Sequence, residues 1–381
     1  MKVLFITRGF PSENDPMAGN YEAVQAKAIA AKGCSVSVLT IQKKPFYSLR
    51  NWNKVNYRMV DGVNVYEGVY PSFPIRSMGR IVKCLKKKAY MRGFERIKKD
   101  QGLPDIVHAH IVSTAFMTSF IIDEYHIPFV ITEHWTKMNV SVITERLEKM
   151  ANVYHKADKV ICVSQALANS LRQNFKIECT IINNMVSDLF FQYSRKERDD
   201  NTFNFIACGA FRKNGNKGFD ILVDAFAKCN FPQNVILNII GDGEDRPFIE
   251  RKISQNGCSN QIHLLGVKTP EEVSELLCGS DCFVLSSRLE TFSIVVIEAM
   301  AKGLPVIATR CGGPETFLLP EHGILVEKEN TEELADAMNY MLGHFSEYDS
   351  QKIRKYCYDH FSQDVIAGKI IEVYNQLLNQ H

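Results

Sequence analysis

The stretch from Asp281 to Glu315 reads DCFVLSSRLETFSIVVIEAMAKGLPVIATRCGGPE. Its two short apolar runs, Cys282–Leu285 and Val306–Thr309, have the bulky side chains of buried parallel strands. Between them, residues 294–302 favour a helix, and the Gly-Leu-Pro that follows is a typical helix stop. Parallel neighbouring strands need such a crossover helix, so the stretch predicts a β-α-β unit and an α/β fold.

Two carboxylates flank the predicted start of this helix. Glu290 lies in the loop after the first strand, and Glu298 lies eight residues further on, in the helix. Between them, Thr291, Phe292 and Ser293 stand where unpaired backbone N–H groups and the helix dipole favour an anion. A phosphate on those amides, with carboxylates on either side to accept hydroxyl hydrogen bonds, suits a nucleoside diphosphate sugar. The alternative for Glu298 is an ordinary solvated helix residue.

The same stretch resembles a known enzyme family. ETFSIVVIE is similar to the Glu-x7-Glu signature of the retaining glycosyltransferases of family 4, and AMAKGLPVIAT and CGGPE are equally typical of them. The resemblance implies the GT-B fold, with two Rossmann-like domains facing across a cleft. It is dense here and extends more loosely over nearly the whole chain. Many members have glycine after the first Glu, where this chain has Thr291, so the sugar pocket is less predictable.

Length and composition agree with a two-domain globular protein. A chain of 381 residues is too long for one ordinary core, and its net charge of +2 argues against nucleic acid as a partner. Eleven cysteines without a CxxC pair indicate a reducing compartment. The N-terminal apolar run is the length of a strand rather than a signal peptide, and no run approaches the ~20 residues that span a bilayer. We expect a cytoplasmic protein, with peripheral association to the inner face of the membrane as an option.

The alternation of strands and helices sets the expected domain limits. Residues 1–190 form the predicted acceptor-side domain, and residues 202–360 form the predicted nucleotide-sugar domain. The polar run 194–201 is the predicted linker. By resemblance to the family, the final helix, 361–381, crosses back onto the first domain.

The first domain carries four candidate residues. Its first loop lacks GxGxxG, which argues against a dinucleotide dehydrogenase. In the family, a glycine of this loop lets the backbone approach the donor phosphate, a role carried here to Gly19, with Asn20 as an acceptor-side neighbour; a plain turn glycine is the alternative. His134 ends a predicted strand in a Thr-x-His pattern whose histidine contacts the transferred sugar in the family. His110 ends another strand and is either an acceptor-side residue or a structural histidine.

The second domain opens with a strand, a basic glycine-rich loop and a helix. Arg212 and Lys217 are cations at this strand-to-helix junction, suited to the two phosphates of a leaving nucleoside diphosphate. The family has an Arg and a Lys five residues apart at this place, and both match; solvated surface charge is the alternative. Gly241, in a Gly-Asp-Gly turn, allows close backbone approach to a donor. By resemblance, Val267 lies where the base is read.

One segment is strongly basic. Residues 76–99 contain ten Lys and Arg residues and one acidic residue, Glu95, with Ile81, Leu85, Phe94 and Ile97 compatible with an interrupted apolar stripe. Such a segment predicts either contact with an anionic membrane surface or a solvated helix packed on its own domain.

The resemblance implies transfer of a sugar from a UDP- or GDP-linked donor to a glycan or lipid-linked acceptor, in surface polysaccharide biosynthesis such as that of lipopolysaccharide or capsule. Glu298 would accept the ribose hydroxyls and Glu290 those of the donor sugar, while Arg212, Lys217 and the helix-start amides stabilise the leaving diphosphate. The nucleotide sugar is a co-substrate, and no cofactor or metal is expected, since no Asp-x-Asp or His/Cys ligand set stands at a strand end.

Two other functions remain open at this point. A non-catalytic glycosyltransferase-like subunit would keep the fold and lose the chemistry. A non-hydrolysing sugar-nucleotide epimerase has the same two-domain fold but acts on the donor alone. The base, the sugar and the acceptor are not readable from the sequence.

Overall fold

The computed structural model describes the chain except for residues 14, 16, 49–51, 74–77, 140–142, 193–200, 214 and 381. The chain divides into two compact units, Met1–Asn183 with Gln363–His381, and Asn184–Ser362. The predicted linker lies outside the described residues apart from Asn201, as do Arg76 and Ser77 at the start of the basic segment.

The first unit is built on a sheet that has eight strands in the described part of the chain. The strands are β1 (Lys2–Thr7), β2 (Ser35–Pro45), β3 (Val55–Val60), β4 (Val63–Ser72), β5 (Ile106–His110), β6 (Phe129–Glu133), β7 (Lys159–Cys162) and β8 (Thr180–Ile181). Their order is β3-β4-β2-β1-β5-β6-β7-β8, and only the edge strand β3 runs antiparallel to its neighbour among these pairs. The helices before the second unit are α1 (Asn20–Ala31), α2 (Gly79–Gln101), α3 (Val112–Tyr125), α4 (Glu145–Ala151) and α5 (Gln165–Phe175).

The second unit is built on a parallel sheet with six strands among its described residues. The strands are β9 (Phe203–Cys208), β10 (Val235–Ile240), β11 (Ile262–Leu264), β12 (Cys282–Leu285), β13 (Val306–Thr309) and β14 (Gly323–Val326). The helices are α6 (Leu189–Gln192), α7 (Phe219–Lys228), α8 (Arg246–Gln255), α9 (Pro270–Cys278), α10 (Ile294–Ala301), α11 (Thr331–His344) and α12 (Ser350–Phe361). The last helix, α13 (Gln363–Leu378), belongs to the first unit.

The β-α-β unit predicted from the opening stretch is confirmed. Strands β12 and β13 have the predicted limits, pair in parallel and bury all of their residues. Full burial of each large aliphatic side chain contributes about 1.5–3 kcal/mol, which explains why these two four-residue runs are strands of the sheet interior.

Strand order locates the ligand-binding edge of each unit. The second sheet runs β11-β10-β9-β12-β13-β14, so its direction of growth reverses between β9 and β12. In the first sheet the reversal falls between β1 and β5. Open α/β sheets bind ligands beyond the carboxyl ends of the strands at such a switch point. The loops after these four strands, β9, β12, β1 and β5, are therefore the expected ligand-binding loops.

The residue limits of the two units differ slightly from the domain limits expected from the sequence. Segment 184–192 belongs to the second unit, although the sequence assigned residues up to 190 to the first. The N–H of Val186 donates to Phe361 O at 2.8 Å, which ties this segment to the end of α12. Helix α13 packs against α1 in the first unit. Across the described residues, none of the helices combines the length and the apolar character that crossing a bilayer requires.

Candidate functional site

Two loops meet at the switch point of the second unit. The loop after β9 (209–218) carries the predicted cations, and the loop after β12 (286–293) carries the first predicted carboxylate. Gly218 has φ 62°, and a Cβ there would lie 2.0 Å from Ser286 O. The Ser286 hydroxyl donates to Lys217 O at 2.9 Å. Because any side chain at position 218 would clash with Ser286 O, the two loops can approach this closely only with glycine there.

An ion pair joins the two loops. Lys217 Nζ lies 2.7 Å from Glu290 Oε1, with the two side chains 24% and 11% exposed. The Ser287 hydroxyl also donates to Glu290 Oε1, at 2.9 Å. Burial alone would lower the pKa of Lys217, but the charge and hydrogen bond of Glu290 hold that pKa above its ordinary value. Lys217 is therefore a charged, mostly enclosed group and not a solvated surface lysine.

The second carboxylate is partly buried and has no counter-charge among the described residues. Glu298 makes no hydrogen bond or ion pair with any described residue, and burial raises its pKa to about 7. Burial, followed by the charge of Glu298, raises the pKa of Cys208 to about 12, which places the carboxylate near the end of β9. A carboxylate in this state is ready to accept hydrogen bonds from a ligand, and it is not the ordinary solvated residue of the alternative reading.

Arg212 adds a second cation. Its side chain is exposed and forms no ion pair within the described residues. With Lys217, Gly215 and Arg288 it lines a cavity of about 350 Å³. The two cations predicted from sequence thus border one cavity, and one of them is unpaired.

The backbone before α10 is tightly held. Thr291, Phe292 and Ser293 are buried, and the Phe292 ring lies 4.8 Å from that of Phe317. Ser293 has φ 82°, which is unusual for a residue with a side chain, and its hydroxyl has no hydrogen-bond partner among the described residues. A Cβ at Gly313 would lie 2.5 Å from Phe292 O, so the loop after β13 packs directly against the backbone of residues 291–293.

Two glycine-containing turns lie beside the loop after β9. Gly241 has φ 135°, and a Cβ there would lie 1.9 Å from Gly209 O. The Gly241 N–H donates to Gly266 O at 2.9 Å. Val267, the next residue, is 69% exposed. The structure therefore places Gly241 and Val267, both predicted site residues, at the same edge as Lys217.

The corresponding edge of the first unit holds the other predicted residues. Gly19 has φ 63°, and a Cβ there would lie 2.1 Å from Gly9 O, so the loop after β1 closes on itself at a position that requires glycine. Asn20 begins α1 directly after it.

The predicted histidines lie together in a buried cluster. The His134 ring is 5.8 Å from that of His110 and 5.1 Å from that of Tyr21, and its Nε2 is 3.9 Å from Glu22 Oε1. Burial, with a smaller contribution from the charge of Arg8, lowers the pKa of His134 to about 3. His134 is therefore a neutral imidazole at physiological pH.

His110 is enclosed but not hydrogen-bonded. Neither ring nitrogen has a hydrogen-bond partner in the described part of the chain, and its ring stacks on His108 at 4.7 Å. Burial and the neighbouring histidines hold its pKa well below the ordinary value. His108 is held by Tyr374 Oη at 2.5 Å and Thr132 Oγ1 at 2.7 Å. His108 is thus a satisfied structural histidine, whereas His110 retains unused hydrogen-bonding capacity.

Sequence reasoning missed the carboxylate that holds the loop after β6. Glu133 is fully buried and accepts hydrogen bonds from the backbone N–H groups of Val112 (2.8 Å), His134 (2.9 Å) and Trp135 (2.8 Å), and from Tyr154 Oη (2.6 Å). It fixes the backbone of the predicted catalytic histidine. The position of Glu133, an acidic residue at the end of an apolar strand, could have indicated this role from the sequence.

A second missed residue is Arg288. Its guanidinium binds both carboxylate oxygens of Asp220 at 2.8 Å, contacts Glu329 at 2.5 Å and donates to Gly215 O. Burial would raise the pKa of Asp220, but Arg288 holds it below its ordinary value. Arg288 therefore ties the loop after β12 to the loop after β9 and to α7.

The basic segment forms α2, which is packed on its own unit at its C-terminal half. Phe94 and Ile97 are buried, as predicted for an apolar stripe, but Ile81 is 50% exposed and Leu85 is only partly covered. The stripe is interrupted because the N-terminal half of α2 packs less closely.

Comparisons with known proteins identify the family. The family model described as Glycosyltransferase Family 4 matches residues 19–188, and the one described as Glycosyl transferases group 1 matches residues 202–344. The uncharacterized glycosyltransferase MJ1178 of Methanocaldococcus jannaschii is 32% identical over 253 residues, covering 65% of this chain and 68% of its own. TuaC of Bacillus subtilis, named as a teichuronic acid biosynthesis glycosyltransferase, is 23% identical over 359 residues, covering 89% and 88% of the two chains.

The fold is shared with a solved structure. HepE of Anabaena in complex with UDP-glucose has a TM-score of 0.75 at 19% identity, covering 99% of this chain and 100% of that one. At this identity the likeness shows the fold, which is GT-B with two Rossmann-like domains. With matches over both units and a relative above 30% identity, the chain belongs to the family 4, or group 1, glycosyltransferases.

Proposed function

We propose that this glycosyltransferase moves a sugar, with retention of its anomeric configuration, from a UDP- or GDP-linked donor to a glycan or lipid-linked acceptor. One observation carries the proposal. At the switch point of the second unit, the Lys217–Glu290 pair lies around the same strand ends as Arg212 and Glu298, neither of which has an ion-pair partner among the described residues. Two cations suit a diphosphate, and two carboxylates suit the hydroxyls on either side of it.

Each of these residues has a separate task in the proposed reaction. Lys217, Arg212 and the amides at the start of α10 stabilise the negative charge that grows on the departing diphosphate. Glu290 contacts hydroxyls of the transferred sugar, and Glu298 accepts those of the ribose. Because Lys217 and Arg212 supply fixed positive charge, we propose that transfer requires no metal ion.

The first unit holds the acceptor in this proposal. Gly19 lets the loop after β1 approach the donor phosphate, and Asn20 and His110 lie on the acceptor side. His134 contacts the transferred sugar. As a neutral imidazole it exchanges hydrogen bonds with hydroxyls without adding charge next to the reacting carbon.

The named relatives support the substrate classes. HepE has been crystallised with UDP-glucose, a nucleotide sugar, and TuaC is named for teichuronic acid biosynthesis. We therefore propose a role in surface polysaccharide biosynthesis, in the class that includes lipopolysaccharide and capsule.

We also propose that the reaction occurs in the cytoplasm, with the first unit against the inner face of the membrane. Lys83 and Lys87 lie over the rings of Phe116 (5.6 Å) and Phe120 (4.5 Å), which line a cavity of about 440 Å³ between α2 and α3. Cations beside half-buried phenylalanine rings suit anionic lipid. All eleven cysteines are described, and all are free thiols, which supports a reducing compartment.

Calorimetric titration with UDP, GDP, ADP and CMP, with EDTA present, tests the donor site. We expect one nucleoside diphosphate to bind at micromolar concentration, with the Glu298→Ala variant weakened. If none of them binds, or if binding depends on a divalent metal, the proposed site is wrong. Donor and acceptor candidates are then incubated with the enzyme. Conversion of the donor to its 2-epimer without any acceptor would identify an epimerase instead.

A further inference from the structure

A second cationic groove lies on the first unit, on the side of α2 that faces β3. It is a cavity of about 760 Å³, within the range of small-molecule and glycan sites, and its lining includes Lys54, Lys88, Arg92, Asn53 and Asn56. The cavity between α2 and α3 proposed for lipid is lined by other residues of the same helix. The two sides of α2 thus offer two different surfaces.

Arg92 contacts an aromatic residue in this groove and forms no ion pair with a described acidic residue. Its guanidinium carbon lies 5.0 Å from the centre of the Trp52 ring, and its Nη2 donates to Trp52 O at 3.2 Å. Burial lowers its pKa from the ordinary value, because the positive charge is partly removed from water there. A bound anion would supply the counter-charge that none of the described residues supplies to Arg92.

Some charged side chains that line the groove form ion pairs, and others form none with a described residue. Glu95 is engaged by Lys98 Nζ at 2.8 Å, and Arg96 by Asp100 at 2.6 Å. Lys54, Lys88 and Arg92 form no ion pair with any residue that the structure describes. Three positive charges, two from α2 and one from the residue before β3, therefore surround one concave surface without an ion-pair partner among the described residues, an arrangement that concentrates anions.

We propose that this groove binds an anionic carbohydrate, a sugar chain bearing carboxylate or phosphate groups, as part of the acceptor. The cations pair with the anionic groups, the amides of Asn53 and Asn56 are suited to hydroxyls, and Val55 and Met91 offer small apolar surfaces to sugar rings. The groove lacks the phenylalanines of the α2–α3 cavity, so it is the less suitable of the two for lipid chains. The inference rests on the proposed transfer reaction and names the chemical class of its acceptor.

Binding to the full-length protein tests the assignment with three probes. They are a fluorescent hexamer of galacturonate, its neutral methyl ester, and glucose 6-phosphate as a competitor. We expect the charged hexamer to bind at about 0.15 M salt, where surface charges beyond about 8 Å are screened, and the neutral ester not to bind. Displacement by glucose 6-phosphate would assign the site to phosphate as well as carboxylate, and its failure would restrict the site to carboxylate.

Two double variants with equal loss of charge localise the site. Lys54→Ser with Lys88→Ser removes two exposed cations of the groove, and Lys83→Ser with Lys87→Ser removes two from the other side of α2. We expect about tenfold weaker hexamer binding in the first variant only, and loss of binding to phosphatidylglycerol vesicles in the second only. Arg92→Gln should act like the first variant, with circular dichroism to verify folding.

Three results would overturn the assignment: no binding of the charged hexamer, equal binding of its ester, or equal weakening in both double variants. The last would mean diffuse attraction to a basic helix. The nucleoside diphosphate titration keeps this outcome separate from that of the proposed reaction, since the groove variants should bind the diphosphate as the wild type does.

Discussion

Glu298 is a residue whose ionisation couples ligand binding to stability. Burial disfavours the charged form of this carboxylate, so its pKa lies near 7 instead of 4.5. The folded protein is thus stabilised relative to the unfolded chain below about pH 4.5, and this contribution is lost as the pH rises through 7. Ribose hydroxyls that donate to the carboxylate would offset that loss.

Glu298→Gln should therefore bind the nucleoside diphosphate more weakly yet melt at a higher temperature at about pH 8, and differ little in melting at about pH 5. Wild-type affinity should also rise from about pH 6 to about pH 8, more steeply than that of the variant, because binding favours the ionised carboxylate. Calorimetry and thermal unfolding at both ends of the range measure this. Identical pH profiles in the two proteins would exclude Glu298 from the binding site.

Arg212 is the residue that separates catalysis from stability most cleanly, because it is exposed and unpaired among the described residues. We expect Arg212→Ala to lower turnover by about 10²–10³, the effect of removing one group that stabilises a developing charge. Its melting temperature should stay at the wild-type value. Lys213→Ala is the control, because the next residue is also exposed and lines the same cavity but pairs with Glu244 at 3.9 Å; it should lower turnover far less. Equal effects of the two substitutions would mean a general electrostatic contribution.

Candidate residues that lie in local motifs could be predicted from the sequence, whereas residues whose role depends on partners distant in the chain could not. Lys217 is one of two cations at a fixed spacing, and Glu290 and Glu298 form a second motif of fixed spacing, so a resemblance to the family could name all three as candidates. Arg288 and Glu133 act through partners 68 residues away, at Asp220, and 21 residues away, at Val112 and Tyr154. No local pattern specifies such pairs, because they depend on which strand ends are neighbours.

At the level of elements, the loops after β9 and β12 act as one unit. The Arg288–Asp220 pair, the Lys217–Glu290 pair and the contact at Gly218 all join them. The sequence predicted both loops and their flanking strands, since apolar runs and glycines mark them. It did not show the N-terminal half of α2 as poorly covered, because helical periodicity does not reveal what a face packs against.

Arg288→Lys should raise the donor KM and lower the melting temperature, because lysine cannot make the two parallel bonds to Asp220. Asp220→Asn should do the same, and the double variant should lose less than the sum of the two. A double-mutant cycle on KM and on unfolding free energy measures this coupling. Additive effects would show that the pair does not position the loops together.

At the level of the whole molecule, the last helix completes the first unit, although more than 170 residues of the second unit separate it from the preceding strand. Residues 184–362 form the second unit, and α13 then packs on α1. The sequence predicted this return from a resemblance at His360–Ser362. It placed the first limit at 190 because a motif match marks a segment and not the unit on which it packs.

Tyr374→Phe tests how firmly α13 supports the first sheet. Loss of the hydroxyl leaves Nδ1 of the buried His108 without its partner, so we expect about 1–3 kcal/mol less unfolding free energy. Affinity for the nucleoside diphosphate should change little, since all the proposed donor residues except Gly19 lie in the second unit. Tyr340→Phe, at an exposed position of α11, is the control, with denaturant unfolding as the measurement. A loss below about 0.5 kcal/mol would mean that α13 is held by apolar packing alone.

The ion pair between Lys217 and Glu290 also bears on product release. An incoming diphosphate competes with Glu290 for the lysine, and under the proposed roles only an intact donor offers sugar hydroxyls to that carboxylate in exchange. After transfer, the nucleoside diphosphate no longer carries the sugar, and Glu290 can form its ion pair with Lys217 again. The enzyme should therefore hold its spent product less tightly than its donor, and cellular phosphate should be a poor inhibitor.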